Sequence, residues 1–144
     1  MKIFSSHSEQ ETITLGMKFS TTLGKGDVVA LFGDLGTGKT RFIKGICKGL
    51  GVHERVMSPT FTILREYAGN NLKVYHWDFY RITSASEIDE LGFEETVNSD
   101  GVCLIEWADR VRRFLPPKRY DVHLDIGSDA NTREITFQEI VAVA

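Results

Sequence analysis

The octapeptide GDLGTGKT, from Gly33 to Thr40, constrains the fold of this chain more than any other segment. It has the spacing GxxxxGK followed by Thr, and it comes directly after the apolar run VVALF, Val28 to Phe32. A continuous apolar run with β-branched residues is typical of a strand buried on both faces of a parallel sheet. After the loop, apolar residues recur at helical spacing, at Ile43, Ile46, Cys47 and Leu50. The segment therefore predicts a strand, a glycine loop and a helix in succession.

A loop of this kind binds phosphate groups. Its glycines let the backbone curl so that successive N–H groups point at phosphate oxygens, and the following helix adds the positive end of its dipole. Lys39 is expected to contact the β- and γ-phosphates, and the Thr40 hydroxyl is expected to bind Mg²⁺. The other loop residues predicted to contact the nucleotide are Asp34, Leu35, Gly36, Thr37, Gly38 and Arg41. The sequence has no NKxD-type segment that reads guanine, which favours ATP.

Hydrolysis of a bound triphosphate needs a carboxylate that holds the metal and its water. Asp78 ends the predicted strand VYHWD, and Glu106 ends the buried run VCLIE. Both would lie at the carboxyl edge of the sheet, beside the phosphates. We therefore expect Lys39, Asp78 and Glu106 to be catalytic and Thr40, Asp78 and Glu106 to serve the metal. The patterns leave open which acid binds the ion directly and which acts through water.

Further patterns predict the elements around this core. Ser8 and Glu11 fit a capping box, followed by apolar residues at four-residue spacing, so we expect a helix over residues 9–23. Phe61 to Tyr67 and Leu72 to Trp77 are predicted to be the strands of a hairpin around AGNN.

The second half of the chain completes an α/β pattern. Ser86 is predicted to be the N-cap of a short helix, and the turn SDG leads into the buried strand VCLIEW. After Pro117, alternating apolar residues indicate two antiparallel strands at an edge of the sheet. The length of 144 residues favours one domain, residues 1–144.

The net charge, the cysteines and the length of the apolar runs exclude some classes of protein. With 17 basic and 20 acidic side chains the net charge is -3, so no bulk positive field attracts nucleic acid or anionic lipid. Cys47 and Cys103 have no metal-ligand spacing and are expected to be buried free thiols in a reducing compartment. The longest apolar run is too short to span a bilayer. We expect a cytoplasmic protein without a membrane segment.

Four segments in series resemble one family. They are GDLGTGKT, SPTFTI from Ser58, HWDFYR from His76 and LIEW from Leu104. Together they resemble TsaE, the small P-loop ATPase of bacterial tRNA threonylcarbamoyladenosine synthesis, in order, spacing and overall length. The resemblance implies a P-loop NTPase-like fold with a central mixed β-sheet, flanking helices and antiparallel strands toward the C-terminus. It also implies ATP and Mg²⁺ as ligands, and a complex with the TsaB and TsaD proteins, through which tRNA is reached only indirectly.

The resemblance also assigns residues. It gives the phosphates and Mg²⁺ to Lys39 and Thr40, and the metal and attacking water to Asp78 and Glu106. Ser58 and Thr60, on either side of Pro59, resemble a switch segment that senses the γ-phosphate, although Ser-Pro-Thr is also an ordinary turn. Trp107 belongs to the LIEW motif and is expected at the site edge or at a partner. Residues near the nucleotide by this resemblance are Glu9 and Arg133.

Other interpretations of the sequence stay open. A small-molecule or nucleoside kinase could use the same P-loop, and a nucleotide-gated adaptor could hydrolyse ATP incidentally. The segment ADRVRRFLPPKRY matches the family least, and no role transfers to it. Its basic cluster is a solvated face by default, or a contact to a partner or to RNA phosphate. The cluster comprises Arg110, Arg112, Arg113, Lys118 and Arg119. We expect His76 to pack or hydrogen-bond near Asp78 rather than to transfer protons.

Overall fold

The computed structural model describes residues 1–34, 36–57, 59 and 63–141 of the chain. In these residues seven strands form one sheet, in the order β1-β7-β6-β2-β5-β4-β3. The elements along the chain are β1 (Lys2–Ser6), α1 (Glu9–Ser20), β2 (Val28–Phe32), α2 (Lys39–Gly49), β3 (Leu64–Ala68), β4 (Lys73–Asp78), α3 (Ala85–Glu90), α4 (Phe93–Val97), β5 (Val102–Glu106), a 3₁₀ helix (Ala108–Phe114), β6 (Arg119–Ile126) and β7 (Arg133–Ile140).

The middle of the sheet is parallel and its edges are antiparallel. Strand β2 pairs in parallel with β5 and β6, and β4 pairs in parallel with β5. Every residue of β2 and β5 is buried, as their continuous apolar sequences predict. The pairs β3–β4, β6–β7 and β1–β7 are antiparallel. The predicted fold class, a central mixed sheet flanked by helices with antiparallel strands toward the C-terminus, is confirmed.

Each face of the sheet carries its own hydrophobic core. On one face Val29 and Leu31 of β2 belong to a cluster with Phe42 and Ile46 of α2. On the other face the alternate residues of β2, such as Ala30, belong to a cluster with residues of α3, α4 and the 3₁₀ helix. This division follows from the two-residue period of a strand, which sends successive side chains to opposite faces.

Helices α1 and α2 pack with their backbones in close contact. A Cβ atom added at Gly16 would overlap the carbonyl oxygen of Phe42, and one added at Gly45 would overlap the carbonyl oxygen of Ile13. Glycine at both positions therefore permits an approach that any side chain would prevent. This contact brings the N-terminus of α1 beside the loop that precedes α2.

Two helix boundaries differ from the sequence predictions. The Ser8 cap is confirmed, since its hydroxyl accepts the Glu11 N–H at 3.0 Å, but α1 ends at Ser20 and not at residue 23. The next three residues bond to carbonyls three positions back, so the chain tightens into a 3₁₀-type turn. The N-cap of α3 is Ser84, and the predicted cap Ser86 lies inside the helix.

The prediction that both C-terminal strands lie at a sheet edge is wrong. Strand β6 lies inside the sheet because it pairs in parallel with β2, and β7 is covered by β1. The edge strand on this side of the sheet is therefore β1, which the sequence patterns did not predict. Four of its five residues are exposed, so it lacks the apolar alternation that marks a strand.

Two smaller expectations concern thiols and membranes. Cys47 and Cys103 are buried free thiols, as predicted. Burial raises the pKa of Cys47 to about 12 and that of Cys103 to about 11. In the part of the chain that the structure describes, no helix is long and apolar enough to cross a membrane.

Candidate nucleotide-binding site

The loop between β2 and α2 is shaped by its glycines. Gly36 and Gly38 have φ angles of 80° and 95°, in the left-handed region that side chains disfavour. A Cβ atom at Gly33 would lie 2.6 Å from the Leu124 carbonyl oxygen, so a side chain does not fit there. Because the N-cap residue Gly38 has no side chain, it cannot cap the first N–H groups of α2. These groups are the donors that an anion would use.

Lys39 points back across this loop. Its Nζ donates to the carbonyl oxygen of Gly33 and, at 3.2 Å, to that of Asp34. The ammonium also lies 4.1 Å from the centroid of the Trp107 ring. Burial lowers the pKa of Lys39, and the carboxylates of Glu106 and Asp78 partly oppose that effect. Phosphate oxygens could replace the two carbonyls as acceptors for this ammonium.

Asp78 and Glu106 lie side by side at the carboxyl edge of the sheet. They are the last residues of β4 and β5, they are opposite each other in the parallel register, and each is 3% exposed. The Thr40 hydroxyl donates to Glu106 Oε1 at 3.2 Å, and the Tyr80 N–H donates to Asp78 Oδ1 at 2.9 Å. Carboxylate and hydroxyl oxygens that converge in this way are suitable ligands for Mg²⁺.

His76 is bonded to Glu106. Its Nε2 lies 2.6 Å from Glu106 Oε2, and the imidazole has no exposed surface. The sequence predicted a contact near Asp78, and the structure identifies the neighbouring acid as the partner. His76 and Asp78 share a face of β4, and the parallel register brings Glu106 to that face as well.

An aromatic pair forms one side of the site. The rings of Tyr80 and Trp107 lie 4.9 Å apart, and Trp107 adopts a φ of 56° where β5 turns into the 3₁₀ helix. The Arg110 guanidinium lies 5.8 Å from the Trp107 ring centroid. Arg110 belongs to the segment ADRVRRFLPPKRY, which matches the family least. It packs against Trp107 of the LIEW motif.

The rest of the basic cluster is only partly a solvated face. Arg112 lies 4.7 Å from the centroid of the Phe32 ring, and Arg119 makes a two-bond ion pair with Asp121. Arg113 lies 5.2 Å from the centroid of the Phe114 ring. These three arginines therefore have structural contacts, which the default prediction of a solvated face did not include.

Charged residues form another part of the lining of the site. Arg41 makes an ion pair with Glu9 at 3.3 Å, between α2 and the first turn of α1. Arg133 donates to the Gly36 carbonyl oxygen at 2.9 Å, which joins the start of β7 to the phosphate loop. The preceding turn is held by Asp129, which accepts bonds from residues 131 and 132, and these bonds lower the pKa of Asp129.

These elements enclose a cavity of about 480 Å³, within the size range of ligand sites. The sequence-predicted residues that line it are Glu9, Asp34, Gly36, Thr37, Gly38, Lys39, Thr40, Arg41, Asp78, Glu106, Trp107 and Arg133. Three predicted site residues, Leu35, Ser58 and Thr60, lie outside the described residues. The assigned roles of all these residues stay predictions.

Part of the lining was not predicted from the sequence. Ser8, Thr12, Tyr80, Ala130 and Asn131 also line the cavity. Tyr80 lies inside the HWDFYR motif, so that motif could have indicated it. The other four come from α1 and the β6–β7 turn, and no local signal marks them, because only the folding of the chain brings them to the phosphate loop.

Comparison with known proteins finds one matching family model, similar sequences and a similar solved structure. Residues 6–135 match the family model described as threonylcarbamoyl adenosine biosynthesis protein TsaE. The tRNA threonylcarbamoyladenosine biosynthesis protein TsaE of Treponema pallidum (strain Nichols) is 44% identical over 131 residues, which cover 91% of this chain and 96% of that protein. The protein of the same name from Bacillus subtilis (strain 168) is 42% identical over 131 residues, with coverage of 91% and 81%. The crystal structure of Bacillus subtilis YdiB is similar with a TM-score of 0.83 at 35% identity, over 96% of this chain and 85% of that one.

Proposed function

The chain belongs to the TsaE family of tRNA threonylcarbamoyladenosine biosynthesis, and from that premise we propose that it is an Mg²⁺-dependent ATPase of this pathway. It acts in a complex with the TsaB and TsaD proteins and reaches tRNA only through that complex. TsaD carries out the transfer to tRNA, and this chain supplies nucleotide turnover. The buried free thiols support a cytoplasmic location, since a reducing compartment keeps thiols unpaired.

One observation carries the proposal: a phosphate loop and two buried acids meet in one cavity. Thr40 of the loop lies within hydrogen-bond distance of Glu106, and Asp78 is its neighbour across the parallel register. A lone glycine loop binds phosphate in many classes of protein. Two carboxylates beside its threonine add what hydrolysis requires, a site for the metal and its water.

Residues at different positions in the site have different roles in the proposed reaction. The N–H groups at the start of α2 and the Lys39 ammonium bind the phosphates and offset their negative charge. Thr40, Asp78 and Glu106 would hold the metal. Mg²⁺, when bound, draws charge from the phosphate oxygens as a Lewis acid. One of the two acids, Asp78 or Glu106, would bind the ion directly, and the other would act through the attacking water.

A partner is expected to complete the site. Phosphoryl transfer depends mainly on positioning and on electrostatic stabilisation, so a site with an open side turns over slowly. The aromatic side is partly open, since Tyr80 is 38% exposed. We therefore expect the isolated chain to hydrolyse ATP slowly and the TsaB and TsaD proteins to raise its rate.

The substitution Glu106→Gln tests the proposal. E106Q should keep ATP binding, because the phosphate loop is intact, and should lose hydrolysis by about 100-fold or more. ATP binding is measured with a fluorescent nucleotide, and phosphate release is measured with and without TsaB and TsaD. Glu94→Gln, at an exposed residue of α4 outside the cavity, is the matched control.

Other outcomes would contradict the proposal. An unchanged rate in a complex proven to form would argue against activation by partners. Labelled phosphate on an added nucleoside or sugar would identify a kinase. Full tRNA modification by a complex that contains E106Q would identify a nucleotide-gated adaptor, for which turnover is incidental.

A further inference from the structure

A chain of hydrogen bonds leads from the phosphate loop through Glu106 into the protein interior. Glu106 Oε1 accepts from the Thr40 hydroxyl at 3.2 Å, and Glu106 Oε2 lies 2.6 Å from His76 Nε2. The Glu106 side chain is 4% exposed and the His76 side chain is 0% exposed. A buried carboxylate with a separate partner for each oxygen is held in one orientation.

The chain of bonds continues beyond His76. His76 Nδ1 lies 3.4 Å from the Tyr67 hydroxyl oxygen, and the Met57 carbonyl oxygen lies 3.3 Å from it, so the single hydroxyl proton can be donated to one of these two acceptors at a time. Tyr67 belongs to the edge strand β3 and is 4% exposed. Met57 directly precedes Ser58, where the predicted switch segment begins. These contacts therefore lead from Thr40 of the phosphate loop, through Glu106, His76 and Tyr67, to the backbone beside that segment.

We propose that His76 is a positioning residue that holds Glu106 facing Thr40, and that Tyr67 holds the His76 ring in turn. The inference rests on the proposed function, in which Glu106 serves the metal and the water. His76 has no exposed surface, so it acts on a bound nucleotide only through Glu106.

Glu106 needs such a partner for a physical reason. A glutamate has three rotatable side-chain bonds, and a displacement of about 1 Å in a reacting group can cost about 100-fold in rate. A polar group that orients a functional carboxylate supplies that precision. An apolar residue at position 76 would leave Glu106 Oε2 buried without this partner, which is unfavourable for a charged oxygen.

His76→Leu and His76→Gln form the first test. H76L removes the donor to Glu106, and we expect kcat for ATP to fall by about 10- to 100-fold while KM stays nearly constant. H76Q has an amide N–H that can replace the Nε2–H, so it should recover most of the lost rate. Tyr67→Phe leaves the His76–Glu106 bond in place and should lower kcat less than H76L does.

A control separates positioning from packing. Val74 is fully buried on the same face of β4 as His76, in the core cluster beneath α2. Val74→Ala should therefore lower the melting temperature without a selective loss of kcat. If V74A and H76L have similar melting temperatures and lose kcat by the same factor, the proposal is overturned.

A second readout does not depend on catalysis. In the ligand-free protein labelled with ¹⁵N-histidine, the Nε2–H proton of His76 should be protected from exchange with solvent. The protected signal should disappear in Glu106→Ala and persist in Y67F. Its absence in the wild-type chain would overturn the inference even if ATPase activity is present. Conversely, a protected signal in a chain that never hydrolyses ATP would refute the proposed function and leave the His76–Glu106 contact standing.

If H76L does not fold, H76Q, Y67F and the exchange measurement decide the question. A kcat in H76Q close to the wild-type value, together with a protected His76 proton that depends on Glu106, supports positioning. A rise in KM equal to the fall in kcat, in H76Q or Y67F, counts against it, because it would mean that nucleotide binding has changed.

Discussion

Burial around Lys39 disfavours the charged form of its ammonium group. Burial lowers its pKa, and its ammonium is bonded to the carbonyl oxygens of Gly33 and Asp34. An anion in the same place would favour the ammonium form and reverse that effect. A negatively charged ligand beside Lys39 would therefore stabilise the ammonium form that burial disfavours.

Lys39→Ala should weaken ATP binding. The variant loses a charge-assisted contact worth about 1.5–3 kcal/mol, so we expect the dissociation constant to rise by about 10- to 100-fold. Titration with a fluorescent ATP analogue measures it. Lys44→Ala, on α2 but outside the cavity, is the control. Equal affinities for K39A and the wild-type chain would contradict a phosphate-binding role.

The sequence predicted individual site residues best where they are neighbours along the chain. The residues of the phosphate loop follow one another, so their spacing alone brings them together. Asp78 and Glu106 could be predicted because each ends a buried strand. The partner of His76 depended on the register between β4 and β5, which no local pattern specifies.

At the level of elements, the contact between α1 and α2 connects stability with the site. Helix α1 and its cap contribute Ser8, Glu9 and Thr12 to the cavity, and the position of the helix depends on the close approach at Gly16. A change inside this contact should therefore affect both the stability of the fold and the binding of ATP.

Gly16→Ala is the corresponding variant. Its added methyl group would meet the Phe42 carbonyl oxygen, so we expect a loss of about 1–3 kcal/mol in the free energy of unfolding. Urea denaturation measures the loss, and a nucleotide titration should show weaker ATP binding. Gly24→Ala is the matched control, since a Cβ atom added at Gly24 would have no neighbour within 4 Å. Similar losses in both variants would refute the role of the close contact.

Element prediction succeeded where a segment is uniformly apolar and failed where it is exposed. Strand β2 was predicted with its observed bounds because all five residues are buried. Strand β1 was missed because most of its side chains are exposed. The end of α1 was placed three residues late because a 3₁₀ turn continues the apolar spacing of a helix for a few residues.

At the level of the whole molecule, the order and direction of the strands determine where the candidate site lies. The carboxyl ends of β2, β4, β5 and β6 lie at one edge of the sheet because these four strands run parallel to one another. Strand β1 ends at the same edge, since Ser6 is opposite Arg133 at the start of β7. The phosphate loop, both acids, the first turn of α1 and the β6–β7 turn therefore meet in one cavity.

The buried thiols should make the fold less stable in alkali. Unfolded thiols ionise near pH 9.0, whereas burial raises the pKa of Cys47 to about 12 and that of Cys103 to about 11. Above pH 9 the unfolded state therefore binds fewer protons than the folded state, and stability falls as the pH rises. We expect a loss of about 3 kcal/mol between pH 8 and pH 10 from the two groups.

Urea denaturation at pH 8 and pH 10 tests this expectation. The double variant Cys47→Ala and Cys103→Ala should lose less stability over this interval than the wild-type chain, whatever its stability at pH 8. The native thiols should also react slowly with a thiol reagent at pH 8 and rapidly after unfolding. An equal alkaline loss in both proteins would show that other groups cause it.

The sequence by itself determined the phosphate loop, the strand before it, the helix after it and the two acids at strand ends. These features depend on residues that are close along the chain, where steric preference, helical period and burial act locally. Only the tertiary structure decided the strand order, the edge strand β1, the pairing of His76 with Glu106 and the hydrogen bond from Arg133 to the Gly36 carbonyl oxygen. These depend on contacts between residues far apart in sequence, whose register is set by the packing of both faces of the sheet.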